Sequence, residues 1–410
     1  MDILKEVLSK IKPSKDEEVL IDKKIKDFMS KIKVRDAEPI LGGSGAKGTW
    51  IRAANDADIF IMFDAKKYAG KDEQLSDVLE KELKRSFKGL ERLHGSRDYF
   101  QVKEPNFTFE MVPIIKIKDS KDAINITDVS PLHATFVKSA IKKNKKLADE
   151  IRLIKQFCKS NKVYGAESYI NGFSGYMCEL LGIYYGSFMK LVQAASKWKD
   201  KEIIDIKNFY KGKNVLMEMN KSKTYSPIIL VDPVQKDRNA AAALSSEKYE
   251  IFIKKAREFL KNKSIRYFEE NRFDAEKLKK DSIVVEIEVL EGKEDIIGAK
   301  LIKVFNLIKG KLIKEEFDIK DLGWFWDKGK KAYFYFKIPK DLDNIQIIEG
   351  PPIKMERFAE DFKKKHKNTF VKNNIVYAKE KRKFTKAKDS IKNLLKNEYV
   401  KERTKSVKIL

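Results

Sequence analysis

The segment from Gly42 to Asp64, GGSGAKGTWIRAANDADIFIMFD, constrains this chain more than any other. It sets a Gly-Ser turn ahead of a helix, then a short strand carrying Asp56 and Asp58 two residues apart. Side chains at i and i+2 of a strand share a face, and neighbouring carboxylates repel unless a cation sits between them. Asp58 runs directly into Ile59-Phe60-Ile61-Met62-Phe63, a continuous apolar run of the kind buried on both faces of a sheet. The carboxylates therefore stand at the rim of a core, where a charge without a partner is costly. Magnesium is bound through carboxylates together with substrate phosphates. A glycine-rich turn entering a helix offers backbone N–H groups to a phosphate. Taken singly, a Gly-Ser turn is only a turn, and an Asp-x-Asp is commonly a solvated strand edge. The buried run behind them favours phosphoryl or nucleotidyl transfer.

A chain of 410 residues divides into about two to four domains. No apolar stretch is long enough for a bilayer, and the opening MDILKEVLSKIKPSKDEE lacks the apolar centre of a signal peptide, so a cytoplasmic location is expected. Cys158 and Cys178 both fall in apolar helical contexts and read as small core residues in a reducing compartment. With only His94, His133 and His366, a His-rich metal site is excluded. The net charge of +25 points to a polyanionic partner. It is concentrated at the end: residues 361–410 hold 17 Lys and Arg against 5 Asp and Glu, a net +12. Phe362, Phe370, Tyr377, Phe384 and Tyr399 are interleaved there, which suits an RNA surface better than a disordered tail. The alternative is a set of solvated helix faces.

The pattern predicts helix over 1–34, strand-turn-helix-strand over 36–63 and an amphipathic helix over 71–93. A strand follows at 107–113, with Phe107, Phe109 and Met111 on one face and Thr108, Glu110 and Val112 on the other. Strands separated by helices imply a mixed sheet covered by helices. From about 134 to 200 the pattern is helical with a glycine-marked break at 164–175, and a further helix covers about 246–262. After 280 the period switches to two, as in Ile283–Leu290 and Ala332–Phe336. The expected fold is α+β and multidomain.

Gly43-Ser44, Asp56, Asp58 and a third carboxylate, Glu110, on a later strand resemble the nucleotidyltransferase superfamily that includes DNA polymerase β. Further motifs narrow this: Thr49-Trp50, DVSPLH at 128–133, YGAE at 164–167, GFSGYMCELL at 172–181, VDPVQKDRN at 231–239 and GPP at 350–352. Together they resemble the archaeal, class I CCA-adding enzymes along the whole chain, most specifically over 164–181. The resemblance implies a nucleotidyltransferase head with the catalytic sheet (1–133), a helical neck and central nucleotide-binding domain (134–262), and a β-rich body with a basic tail that grips tRNA (263–410). It implies addition of C, C and A to the tRNA 3′ end from CTP and ATP with Mg²⁺ and no nucleic-acid template.

Carried onto this sequence, the resemblance gives Asp56, Asp58 and Glu110 the two Mg²⁺ ions that clamp the attacking hydroxyl and the leaving pyrophosphate. Glu110 stands where many superfamily members have Asp and reaches one methylene further. Ser44 and the backbone around Gly43 would bond the triphosphate. Lys47 falls where the family usually has Arg; it keeps the charge and loses the bidentate fork. Lys155 lies beside the apolar stripe Ile151, Ile154 and Cys158, the usual place of a snorkelling lysine. The resemblance instead sets it on the phosphates with Tyr164, with Ser130 and His133 serving phosphate and ribose. Arg238 would read the base with donors in a fixed plane, or simply cap a nearby acid such as Asp232. Lys381, Arg382, Lys383, Lys386 and Lys388 are the expected tRNA-backbone contacts.

Two rivals stand beside this reading. One is another template-independent nucleotidyltransferase, such as a poly(A) polymerase. The other is a catalytically silent RNA-binding protein, which would have no use for clustered carboxylates facing a polyanion. The sequence leaves the oligomeric state open, a homodimer included.

Overall fold

The computed structural model describes residues 2–52, 55–68, 70, 74–270 and 273–410. Ala53 and Ala54 of the opening motif, and 71–73 at the start of the helix expected over 71–93, lie outside the described residues. The chain divides into two compact units, Met1–Asn271 and Arg272–Leu410.

The first unit holds two principal cores. One lies under a five-stranded mixed sheet of β1 (Ala37–Leu41), β2 (Asp56–Phe63), β3 (Glu91–Leu93), β4 (Tyr99–Glu104) and β5 (Phe107–Ile115) in the order β1-β2-β5-β4-β3. Only β2 and β5 pair in parallel. The alternation of β5 is realised as expected: Phe107, Phe109 and Met111 are buried, while Thr108, Glu110 and Val112 are half-buried. The helical stretch at 1–34 is broken at Pro13 into α1 (Ile3–Ile11) and α2 (Lys15–Ser30), because proline has no N–H to continue a helix. Ser14 restarts it with a capping box to Glu17. Phe28 of α2 stacks on Phe109, and α4 (Leu75–Ser86) adds Leu75, Leu79 and Leu83 to the same core. The helix expected through 93 stops at Ser86; Gly89 turns the chain with φ +73°, and 91–93 becomes the edge strand β3.

The second core is helical: α5 (Ser130–Lys143), α6 (Leu147–Ser160), α7 (Gly175–Tyr185), α8 (Phe188–Ala195) and α9 (Ser246–Lys261). Phe157 is fully buried at its centre, its ring 5.3 Å from Phe188 and 5.7 Å from Phe268. Val7 and Ile11 of α1 pack here too, so the first helix, expected within a head spanning 1–133, joins the helical core instead. The break at 164–175 is a close backbone crossing: a Cβ at Gly172 would lie 2.2 Å from the Val163 carbonyl oxygen. Two short parallel strands not expected from the sequence, β6 (Glu202–Asp205) and β7 (Ile228–Val231), complete the unit. Cys158 and Cys178 are buried free thiols, as expected, with sulfurs 3.9 Å apart.

The second unit contains an antiparallel sheet of β8 (Ile283–Glu288), β9 (Asp321–Trp326), β10 (Lys331–Lys337) and β14 (Ser406–Ile409), in the order β14-β8-β10-β9. A smaller sheet of β11 (Ile345–Pro352), β12 (Thr369–Lys372) and β13 (Ile375–Lys381) runs in the order β11-β13-β12. The body is β-rich as expected, but it also carries the 21-residue helix α10 (Glu294–Lys314). Its Leu301, Val304, Phe305, Ile308 and Leu312 recur at helical spacing and pack with Phe334 and Phe336 of β10. The helices α11 (Glu356–Lys365) and α12 (Ala387–Leu394) follow. Among the described residues, no helix is long and apolar enough to cross a membrane.

Candidate active site

The parallel register of β2 and β5 sets Asp58 directly beside Glu110, with Asp56 two residues along the same strand. The Gly42 N–H donates to the Asp58 carbonyl at 2.7 Å and pins the single helical turn α3 (Gly43–Lys47) against the strand end. Gly43 has φ +53°, and a Cβ there would lie 1.6 Å from Asp58 Oδ2, so any other residue would strain the backbone and displace the carboxylate. Burial first, then the charges of Glu110 and Asp56, push the Asp58 carboxyl up to about 7 against the opposing pull of Lys47. Glu110 Oε1 accepts from Gln101 Nε2 at 2.5 Å. As they stand, no three His, Cys, Asp or Glu groups among the described residues close into a metal cage. The chemistry of the donor set still fits a hard divalent cation: the ligands are carboxylate oxygens, and their mutual repulsion is what such a cation relieves.

Behind α3 lies a buried charge knot that the sequence reading missed. Glu179 of α7 has no exposed surface. Its Oε2 accepts from Lys47 Nζ at 2.6 Å, and its Oε1 from Lys155 Nζ at 2.8 Å and Thr49 Oγ1 at 2.7 Å. Burial works to raise the Glu179 carboxyl, but Lys155 and then Lys47 outweigh it and hold it below its ordinary range. Lys155 is itself buried and has three acceptors within 3.3 Å: Glu179 Oε1, Thr49 Oγ1 and the Thr49 carbonyl. An ammonium has three donors, and the acceptors that surround Lys155 all belong to Thr49 and Glu179. Lys155 is a strut between α6 and the segment following α3. Next to it, Arg152 donates to the Gly48 and Trp50 carbonyls at 2.8 and 2.9 Å. The signal for Glu179 was present: one acid inside the apolar helix GYMCELLGIYY must be buried, and a buried acid needs cations.

A second buried carboxylate, Asp232, opens the turn after β7. Arg238 Nη1 donates to its Oδ2 at 2.5 Å, and His133 Nε2 lies 3.0 Å from the same oxygen, off the line of a good hydrogen bond. Tyr176 Oη and the Val234 N–H donate to Oδ1 at 3.1 and 2.9 Å. Burial works to raise Asp232, but His133, the Val234 N–H and Arg238 together bring it down to about 2. The Tyr176 ring is common ground: His133 is tilted over it at 4.3 Å, and Arg238 and Lys47 approach it at 5.8 and 5.9 Å. The structure thus brings Lys47, His133 and Arg238 around one aromatic side chain. It also realises the alternative for Arg238, a contact with Asp232.

The other expected residues divide. Ser44 sits within α3, and Ser130 in the first turn of α5, which packs beside α3. Tyr164 bridges to Phe173, and a Cβ at Gly175 would meet its hydroxyl at 2.9 Å. In the second unit, Lys381, Lys383, Lys386 and Lys388 are exposed. Arg382 differs: its side chain is largely covered, donating to Glu316 Oε2 at 2.6 Å and to the Glu315 carbonyl at 3.2 Å. It ties the end of β13 to the chain beyond α10.

A mixed sheet with carboxylates on adjacent parallel strands beside a Gly-Ser turn defines a nucleotidyltransferase, and residues 22–147 match the family model described as "Nucleotidyltransferase domain". The fold is also similar to that of the Cid1 poly(U) polymerase solved with Mg and 3′-dATP bound (TM-score 0.53, 15% identity, 65% of this chain and 98% of that one). Residues 149–269 match "tRNA nucleotidyltransferase, second domain", and residues 280–404 match "CCA-adding enzyme, C-terminal domain". A CCA-adding enzyme from Methanocaldococcus jannaschii is 33% identical, covering 96% of this chain and 90% of its own length. Another from Nanoarchaeum equitans is 36% identical over 81% of this chain and 80% of its own. The chain belongs to the CCA-adding enzyme family.

Two predictions follow from these charges. Glu179→Gln strands two ammonium groups, one fully buried, and removing one partner of a buried ion pair costs about 3–5 kcal/mol. Urea denaturation is expected to show a loss of that size, and a loss below about 1 kcal/mol would mean that the knot is not a structural tie. Asp58 has its folded pKa raised from 3.8 to about 7. Its contribution to stability is therefore present in full below pH 3.8 and is lost as pH rises through about 7. In EDTA, wild type is expected to lose stability relative to Asp58→Asn across that window and to run parallel above it; parallel curves throughout would contradict the raised pKa.

Proposed function

We propose that this protein completes tRNA 3′ ends by adding C, C and A from CTP and ATP without a nucleic-acid template, releasing pyrophosphate. The observation that carries this is the similarity to CCA-adding enzymes along almost the whole chain, joined to a head whose β2 and β5 carry Asp56, Asp58 and Glu110 side by side. Asp56, Asp58 and Glu110 are the residues that would hold Mg²⁺, which supplies positive charge against the attacking 3′-hydroxyl and the departing pyrophosphate. Ser44 and the backbone at Gly43 bind the triphosphate. Lys47 is the ammonium for it, because only one of its three donors is accounted for by Glu179. Lys155 serves by holding Thr49 and Glu179. Ser130, His133 and Tyr164 line the nucleotide, and Arg238 faces its base. Residues 1–133, 134–262 and 263–410 correspond broadly to head, neck and central domain, and body with tail, with α1 moved to the central domain. The enzyme acts in the cytoplasm, where its tRNA substrates are.

Incubation with CTP, ATP and a tRNA lacking its last three nucleotides is expected to give addition that stops after C-C-A. Open-ended A addition would instead identify a poly(A) polymerase. Asp58→Asn removes one charge from the metal-binding set, so both C and A addition are expected to disappear while tRNA binding persists. Near-wild-type turnover of this variant in Mg²⁺ would overturn the assignment of the carboxylates.

The exposed lysines of the second unit contact tRNA backbone in this reading. Because Arg382 is structural, the test replaces Lys381, Lys383, Lys386 and Lys388 with Gln and leaves Arg382 in place. RNA helices are recognised largely through shape and phosphate contacts, so affinity should fall for all tRNAs alike. The slope of log K against log[salt] should become shallower by about 0.7–0.9 per lost contact, with CTP binding unchanged. An unchanged slope would make this cluster a solvated face.

A further inference from the structure

Asp232 has no direct part in the reaction proposed above, yet three donors converge on its fully buried carboxylate, Tyr176 from α7 and Val234 and Arg238 from its own turn, with His133 of α5 3.0 Å from the same group. The turn is braced independently. The Asp232 N–H donates to the Arg238 carbonyl at 3.0 Å, and Asn239 Nδ2 donates to the Lys223 and Ile228 carbonyls at 2.9 and 3.0 Å. The backbone of Arg238 is therefore held whatever its side chain does, and among the described residues Asp232 and the Tyr176 ring restrain the guanidinium.

That restraint matters because of what C and A share. Each carries an exocyclic amino group beside an unprotonated ring nitrogen, whereas U and G carry a carbonyl beside a ring N–H. An N–H donor fixed opposite the ring nitrogen accepts C and A and opposes U and G. The same donor on a mobile side chain could swing to the carbonyl of U or G, and discrimination would be lost. A guanidinium has five N–H donors in one plane. With Nη1 anchored on Asp232, the plane is set, and the other nitrogens remain for the base.

We infer that Asp232 is a positioning residue for base choice: it fixes the plane of the Arg238 guanidinium and links that plane, through His133, to helix α5 beside the nucleotide loop. This rests on the reading of Arg238 as the base-facing group.

The test measures kcat/KM for CTP, ATP and UTP with a tRNA lacking its terminus, in Asp232→Asn, Arg238→Ala, the double variant and Tyr176→Phe. Asp232→Asn keeps the volume and presents an amide that no longer anchors the guanidinium by charge. The CTP:UTP and ATP:UTP ratios are expected to fall at least about fivefold, the low end for a bidentate base contact, with tRNA affinity kept. Arg238→Ala should show a similar fall. The double variant should lose no more than Arg238→Ala alone, since groups that act through one another are not additive. Tyr176→Phe removes one donor to the carboxylate and should shift the ratios in the same direction by about twofold. Unchanged ratios in Asp232→Asn beside a loss in Arg238→Ala would make Asp232 merely structural and leave the base-facing role of Arg238 intact. An additive double variant would mean that Asp232 acts on its own, which overturns the inference. Unchanged ratios in Arg238→Ala would remove the base-facing reading itself. If Asp232→Asn does not fold, Tyr176→Phe decides, and unchanged ratios there overturn the inference.

Discussion

The carboxylate of Glu179 is the tie on which the arrangement of the first unit depends. Desolvating a charge fully costs several kcal/mol unless cations and hydrogen bonds replace the lost water. Here the replacement comes from Lys47 and Thr49 on the chain leaving the nucleotide turn and from Lys155 on α6. None of these groups is satisfied by its own element. These contacts tie the sheet side of the unit to the helical core and set Lys47 beside the strand that carries Asp58.

The same logic runs twice along α7. Glu179 and Tyr176 lie three residues apart, close to one helical turn, and face neighbouring partners. Glu179 collects Lys47 and Lys155, while Tyr176 leads to a second carboxylate, Asp232, which holds Arg238. Two buried acids thus hold cations in place without cancelling the use of Lys47 and Arg238, because each of these has donors left over. In front of them the Asp58 carboxyl is pushed up by burial first and then by the charges of Glu110 and Asp56.

Much of this was legible along the chain. The Asp-x-Asp before an apolar run gave the strand that carries both carboxylates, and the alternation of 107–113 gave the faces of a second strand, whose parallel register with β2 then sets Glu110 beside Asp58. The motif at 172–181 was visible, its lone acid included, but a single glutamate among apolar residues gives no sign of which cations it meets. The partners of Lys155 were hidden for the same reason: a cation beside a core face looks identical whether it reaches water, a phosphate or a buried acid. Arg382 looked like one of five exposed charges, and only the approach of Glu316 from a different element shows otherwise. The helix α10 was hidden by the strand-like runs on either side of it.

Sequence by itself determined the local things: strand faces, the glycine-marked break at 164–175, the concentration of charge after 361, and the family. These depend on residues within a few positions of one another, or on motifs whose order is preserved. Tertiary structure decided the pairings. Lys155 meets Glu179 across 24 residues of sequence, Lys47 meets it across 132, and His133 meets Asp232 with most of the helical core in between. Charges act through space and are worth most where water is excluded, so the partner of a buried ion is set by packing, which no local pattern encodes.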